Sequence, residues 1–207
     1  MKSTTTTLFA TQVYQKKMHT SETGSLKELL SEIHLIQKSD QPGIAWSKQN
    51  YAGGYTSYGS IDKLHKFSST FENLQLAINS HVDLYLKNLD YDASTKKNLT
   101  MTNCWVNMMP ANVSHPAHIH PQAVISGTFY VALPRGSSPI KFEDPRLGFM
   151  MNAPSLKPNA KPETKRFVCL QLQPADLVLF ESWLRHEVPA NASKTPRVSI
   201  SFNYGWV

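Results

Sequence analysis

Three histidines and an arginine in the second half of the chain are residue types that can bind a metal ion and an anion together. His118 and His120 stand two apart in Pro116-Ala117-His118-Ile119-His120-Pro121, just ahead of the run Val124-Ile125-Ser126-Gly127-Thr128-Phe129-Tyr130-Val131. Side chains two apart on an extended segment point to one side, so both imidazoles face a common point. Imidazole is the commonest protein metal ligand, and a converging pair begins a metal site. A third imidazole, His186, follows the apolar run Leu177-Val178-Leu179-Phe180, which places it at a strand end or in the next turn. Arg197 and Ser199 open the last β-rich run and face the same way. An antiparallel turn between Arg185 and Thr195 would set Arg197 beside the strand that carries His186. Three neutral nitrogen donors and one permanent cation then converge inside a barrel. His115 is a competing ligand candidate, but an extended strand does not align it with His118 three residues on.

Strands must hold these groups, and the second half reads as strands. The runs 101–108, 124–133, 140–142, 166–172, 177–181 and 198–203 are rich in β-formers. Turn residues separate them, including Pro134-Arg135-Gly136, Pro174-Ala175-Asp176 and Pro189-Ala190-Asn191. The first half reads as helices. Ser25-Leu26-Lys27-Glu28 has the form of a capping box, and Leu26, Leu29, Leu30, Ile33 and Ile36 follow at helical spacing. Ser69-Thr70-Phe71-Glu72 repeats the box before Phe71, Leu74, Ala77, Ile78, Val82, Tyr85 and Leu89, a helix ending near Asn88. His34 and His81 lie on these helices and read as surface or packing residues.

Segment 8–14 is expected to be a first strand. Segment 41–60 holds Pro42, Gly43, Gly53 and Gly54 among the rings of Trp46, Tyr51, Tyr55 and Tyr58, and is expected to be irregular. Segment 144–164 is a long proline-rich loop with an apolar cluster of Leu147, Phe149, Met150 and Met151. Such a loop commonly serves as a lid, and Phe149, Met150 and Met151 are expected to touch substrate from it. A homodimer interface is the other reading of that cluster. Helices followed by strands make an α+β chain whose catalytic half is an antiparallel sandwich or barrel.

A chain of 207 residues reads as a single domain, 1–207. Within it, 1–98 is mainly helical support and 99–207 the barrel core. The net charge of +6 comes from scattered pairs (Lys16-Lys17, Lys96-Lys97, Lys165-Arg166), which suits solvated surface better than nucleic acid. Cys104 and Cys169 each sit in an apolar run and read as buried, reduced thiols, as in a cytoplasmic protein. No stretch reaches the roughly 20 apolar residues of a membrane span, and the first residues lack the apolar core of a signal peptide.

The order of these motifs resembles the 2-oxoglutarate/Fe(II)-dependent oxygenases, and within them a branch of small enzymes found in bacteria and marine phages. The resemblance rests on Trp105-Val106-Asn107, His118-Ile119-His120-Pro121, Ser126-Gly127-Thr128-Phe129-Tyr130-Val131 and Phe142-Glu143-Asp144-Pro145-Arg146. It continues through Phe180-Glu181-Ser182-Trp183-Leu184-Arg185-His186 and Arg197-Val198-Ser199-Ile200-Ser201-Phe202-Asn203, with weaker matches at 8–14 and 53–57. It implies a double-stranded β-helix, a jelly-roll or cupin-like barrel with supporting N-terminal helices and a metal at one mouth.

The resemblance further implies Fe(II) held by His118, His120 and His186, with His120 where the wider family has a carboxylate. Arg197 and Ser199, with Tyr130 nearby, would hold the distal carboxylate of the cosubstrate 2-oxoglutarate. The expected activity is hydroxylation of a small molecule or peptide. Because three imidazoles also suit Zn(II), a cupin-type metal protein that uses no 2-oxo acid is the alternative. Against it, the glutamate that cupins carry four or five residues after the His pair is replaced here by Val124 or Ile125. A non-catalytic binding protein on the same barrel is the third reading.

Overall fold

The alternation along one strand sets the layers of this protein. Arg197–Trp206 runs through the middle of the larger sheet, and its side chains divide by face. Val198, Ile200, Phe202 and Tyr204 point outward into the main apolar core. Arg197, Ser199, Ser201 and Asn203 take the other face, a polar row that is nonetheless buried. Successive side chains in a strand alternate, so one sequence can face a helical layer and a barrel interior at once.

The structure is a computed structural model that describes residues 3–92 and 98–207; the Lys96-Lys97 pair lies outside them. In chain order the elements are β1 (Val13–Lys17), α1 (Thr20–Thr23), α2 (Leu26–Ser39), α3 (Gln41–Asn50), β2 (Tyr55–Thr56) and α4 (Ser69–Asn88). There follow β3 (Leu99–Met109), β4 (His115–His118), β5 (Ile125–Ala132), β6 (Lys141–Glu143), β7 (Phe167–Cys169), β8 (Asp176–Glu181), β9 (His186–Val188) and β10 (Arg197–Trp206). The larger sheet has the order β1-β8-β5-β10-β3-β2 and the smaller the order β4-β9-β6-β7, with every pairing antiparallel.

The two sheets face each other. Tyr130, Val178 and Phe180 of the larger sheet pack on Ile140, Phe142 and Leu184 at the smaller one. On the outer face, Leu29 and Ile33 of α2 and Phe71, Leu74, Ile78, Val82 and Tyr85 of α4 cover the larger sheet. Fully burying each such side chain contributes about 1.5–3 kcal/mol, so the apolar stripe, and not helix propensity, holds α4 in place. Gly127 is required on this face, because a Cβ there would come closer than 3.0 Å to Phe202 and Leu179.

Several expectations need correction. The first strand is β1, later than 8–14, and it pairs with β8 at the sheet edge. Segment 41–60 is not irregular, for α3 fills its first half. Pro42 sits in the first turn, where its missing N–H breaks no hydrogen bond, and the Asp40 carboxylate caps the helix by accepting from Gly43 N–H at 2.9 Å. Neither serine box forms: Ser25 and Ser68 occupy the N-cap positions of α2 and α4 without side-chain caps, and the Ser68 hydroxyl turns to Glu32 of α2. Cys169 is exposed, since β7 is an edge strand, while Cys104 is buried. The first half also supplies β1 and β2 to the larger sheet, so it is more than helical support. His81 is a buried packing histidine, its Nδ1 2.8 Å from the Tyr14 hydroxyl and its Nε2 3.6 Å from the Glu22 carboxylate, and His34 is exposed.

Candidate metal centre

His118 ends β4 and lies directly opposite His186, the first residue of β9. The polypeptide then leaves the small sheet. His120 N–H donates to Ser182 O at 2.9 Å, which draws its loop across toward the larger sheet. Three imidazoles from two strands and one loop thereby meet, with one ring nitrogen of each inside a group whose members all lie within 4.8 Å of one another. His118 Nε2 and His120 Nε2 are 3.2 Å apart.

The other ring nitrogens fix the tautomers. His118 Nδ1 is 2.8 Å from Pro116 O, and His186 Nδ1 is 2.9 Å from Leu184 O. His120 Nδ1 is 2.6 Å from Asn203 Oδ1, which also accepts from Ser126 Oγ at 2.8 Å. Carbonyl and amide oxygens only accept, so each Nδ1 carries the hydrogen and each Nε2 keeps its lone pair. This is the arrangement a metal-binding histidine needs, with its far nitrogen anchored by an oxygen. Burial pushes all three below the ordinary imidazole range, His120 to about 4 and His186 to about 3, so they are neutral at pH 7.

At the other end of the polar row on β10 lies Arg197, only 3% exposed. Its Nη1 reaches Ser199 Oγ at 3.4 Å and Met109 Sδ at 3.5 Å, and its guanidinium carbon is 5.0 Å from the centre of the Tyr130 ring. Among the described residues no carboxylate pairs with it. Arg197 Nε and the Tyr130 hydroxyl are both buried without a hydrogen-bond partner. Burial raises the Tyr130 hydroxyl and the Arg197 charge opposes that rise, so the phenol remains a neutral donor. A buried cation without a counter-charge is unfavourable by several kcal/mol, and this cluster is of the kind that suits an anion.

The six residues singled out from sequence thus form two groups, one of His118, His120 and His186, the other of Arg197, Ser199 and Tyr130. A narrow cleft lined by Trp105, Asn107, His115, Thr128 and Ser201 joins the imidazoles to Arg197. Their geometry differs from expectation in three ways. Arg197 is not on a strand beside His186; β10 and β9 belong to opposite sheets, and the two side chains approach across the interior. His186 opens a strand of its own. His115 is aligned with His118 after all, because the register slips between them and brings the ring centres to 4.6 Å. Its nitrogens nevertheless stay outside the converging group.

A cavity of about 260 Å³ opens onto His118 and His120, and sequence reasoning missed its walls. They are Trp46 and Tyr51 from the α3 region, Tyr58 from the turn after β2, and Trp105 from β3. The only signal was the density of rings between 46 and 58, which also reads as ordinary anchoring. Segment 144–164, expected as the lid, does not line this cavity. It forms two short 3-10 turns, 147–149 and 162–164, with Phe149 88% and Met151 93% exposed.

Residues 103–203 match the family model described as "Putative 2OG-Fe(II) oxygenase". No curated protein matches by sequence. Among solved structures, SnoN, a non-heme alpha ketoglutarate dependent epimerase from nogalamycin biosynthesis, is 14% identical with a TM-score of 0.66, covering 95% of this chain and 77% of that one. HygX from Streptomyces hygroscopicus, solved with nickel, 2-oxoglutarate and hygromycin B bound, is 11% identical with a TM-score of 0.63, over 95% and 83% of the two chains. A Pseudomonas putida prolyl-4-hydroxylase is 13% identical with a TM-score of 0.55, over 94% and 92%. At these identities the likeness is one of fold, and that fold is the double-stranded β-helix.

Proposed function

We propose, from the match of residues 103–203 to the 2OG-Fe(II) oxygenase family model, that the protein is an Fe(II)- and 2-oxoglutarate-dependent dioxygenase of the hydroxylase type. His118, His120 and His186 would hold the metal through their Nε2 lone pairs. Arg197, Ser199 and Tyr130 would receive the distal carboxylate of 2-oxoglutarate. When bound, the metal and the 2-oxo acid would together activate dioxygen, one oxygen atom going into succinate as carbon dioxide leaves and the other into a C–H bond of the substrate.

The work of this chain's own residues is binding and orientation. Pro116, Leu184 and Asn203 fix three ring orientations, so the donor set is preorganised. Arg197 offers a planar fork suited to two-point pairing with a carboxylate. The rings of Phe142 and Phe180 lie 6.0 Å and 4.5 Å from the His186 ring and exclude water from that side. Support also comes from SnoN solved with Fe3+, alpha ketoglutarate and nogalamycin RO, and from a Trichoplax adhaerens prolyl hydroxylase solved with a peptide fragment. They frame the substrate class as a small molecule or a peptide. Among the described residues no helix is long and apolar enough to cross a membrane, and the two free thiols suit a reducing cytoplasm.

The observation that carries this reading is Arg197, a buried cation whose counter-charge must come from a ligand. One observation favours a second reading. His120 stands where a carboxylate is usual, and three neutral imidazoles with an open position also suit Zn(II) and a cupin-type protein that needs no 2-oxo acid. Oxygen-free calorimetry of 2-oxoglutarate into the Fe(II)-loaded protein separates the two. Losing a buried charge partner is worth roughly 2–5 kcal/mol, or about 30- to several-thousand-fold in affinity. Arg197→Ala is therefore expected to weaken 2-oxoglutarate by at least about 30-fold with metal content unchanged. A wild-type protein that ignores millimolar 2-oxoglutarate would leave the second reading in the lead.

A further inference from the structure

We propose that the aromatic cavity above His118 and His120 is the substrate subsite, and that it takes an uncharged, ring-bearing group. The inference rests on the oxygenase reading for its chemistry, because a metal-centred oxidation is what gives the cavity a reaction to serve.

The first argument is construction. Trp46, Tyr58, Trp105 and His120 form a continuous series of ring contacts, with centres 6.3, 5.1 and 5.9 Å apart. Two glycines exist to seat these walls. A Cβ on Gly59 would come closer than 3.0 Å to the Trp46 indole, and one on Gly54 would do the same to the Tyr51 ring. A buried carboxylate fixes the segment behind them. Asp40 accepts hydrogen bonds from Gly43 N–H, the Tyr55 hydroxyl and the Ser60 hydroxyl, tying α3 to β2 and the turn that carries Tyr58. The rings are therefore held from outside the cavity, and their inner surfaces are left uncovered.

The second argument is charge. Among the described residues no Asp, Glu, Lys or Arg lines the cavity. A cation placed there would be drawn to the negative ring faces, but it would stand beside the divalent metal of the proposed function, which repels it. An anion would meet the negative faces of the rings, with no side-chain cation to receive it. A neutral ring loses little on entering and gains contact with four aromatic side chains. Size agrees, since about 260 Å³ has room for a ring with short substituents. Large apolar side chains also stay uncovered at the mouth, with Tyr58 51% and Ile119 44% exposed.

The test uses the full chain with Zn(II) and 2-oxoglutarate present, and reads the indole N–H signals by nitrogen-15 NMR. The probes are benzyl alcohol, benzenesulfonate and benzyltrimethylammonium. The chain has four tryptophans, so Trp183 and Trp206 serve as internal controls for Trp46 and Trp105. Benzyl alcohol is expected to shift Trp46 and Trp105 saturably at millimolar concentration, with both charged probes at least about tenfold weaker. Gly59→Ala, and separately Tyr58→Ala in case the first variant fails to fold, should weaken benzyl alcohol by about tenfold or more and leave 2-oxoglutarate affinity unchanged. Equal binding of a charged probe, or shifts spread evenly over all four indoles, overturns the proposal. Absence of 2-oxoglutarate binding in a parallel titration would overturn the oxygenase reading instead, with the indole shifts still deciding what the cavity admits.

Discussion

Asn203 Oδ1 stands 2.6 Å from His120 Nδ1 and so joins a loop-borne metal ligand candidate to the same strand that carries Arg197. Five residues of β10 lie between Arg197 and Asn203, the two ends of the proposed site. Asn203 is itself held by Ser126 Oγ, which lies 2.7 Å from Ser182 Oγ. The ligand that leaves the small sheet is thus oriented by the large one.

Removing that acceptor should loosen the metal without removing a ligand. Asn203→Ala is expected to lower metal affinity about 10–100-fold, read by competition with a chromogenic chelator. Asn203→Asp keeps an acceptor and should stay close to wild type. An alanine variant with unchanged affinity would mean that the hydrogen bond does not orient His120.

His186 and His115 make a contrasting pair, since both rings touch His118 and only His186 belongs to the converging group. His186→Ala should lose stoichiometric metal, while His115→Ala should keep one ion per chain. Metal analysis after gel filtration checks both. The reverse pattern would replace His186 with His115 in the ligand set.

Arg197 should be a liability to the chain whenever no anion is bound. An isolated buried charge is unfavourable by several kcal/mol, and for a chain of this size each kcal/mol moves Tm by about 2–4 °C. Arg197→Met is therefore expected to raise the Tm of the cosubstrate-free protein by about 5 °C or more. The same variant should abolish the further rise that 2-oxoglutarate gives the wild type. A lower Tm for the variant would show that the guanidinium is already satisfied.

Acid should destabilise the metal-free protein through its buried imidazoles. Burial lowers His115 and His186 to about 3 and His120 to about 4, so the unfolded chain takes up protons that the folded one refuses. Their contribution is complete above about pH 6.5 and is lost as pH falls from there toward the folded values. Each imidazole adds a slope of about 1.4 kcal/mol per pH unit well inside that window. Urea midpoints at pH 7, 6 and 5 should fall steeply, whereas three exposed histidines would leave them nearly level.

How much of this was legible beforehand depends on how local each signal is. His118 and His120 were readable as a pair from their spacing of two, although only His118 lies on a strand and the hydrogen bond of His120 to Ser182 completes their convergence. Arg197 and Ser199 were readable as a same-face pair, but their part in holding a carboxylate, with Tyr130, needed the family pattern, since nothing local distinguishes a buried arginine from a surface one. Pro42 and Gly43 misled because they break a helix interior, yet they sit harmlessly at a start capped by Asp40. Strands β4 and β9 are four and three residues long, too short to show alternation. The cavity walls come from three separate stretches, and only the folded chain brings Trp46, Tyr58 and Trp105 together.

The pairing of β1 with β8 sets an order for events on the ribosome. Val13 pairs with Phe180, so the edge of the larger sheet is completed by two stretches made at opposite ends of synthesis. At about 5–20 residues per second, β1 waits roughly 8–30 s for its partner to be made. Its exposed backbone is meanwhile guarded by Gln15, Lys16 and Lys17, polar and charged residues that discourage pairing with a neighbouring nascent chain. An edge strand held back so long is also the segment most easily exchanged between two molecules, so concentrated refolding should favour a dimer in which each copy lends the other its β1.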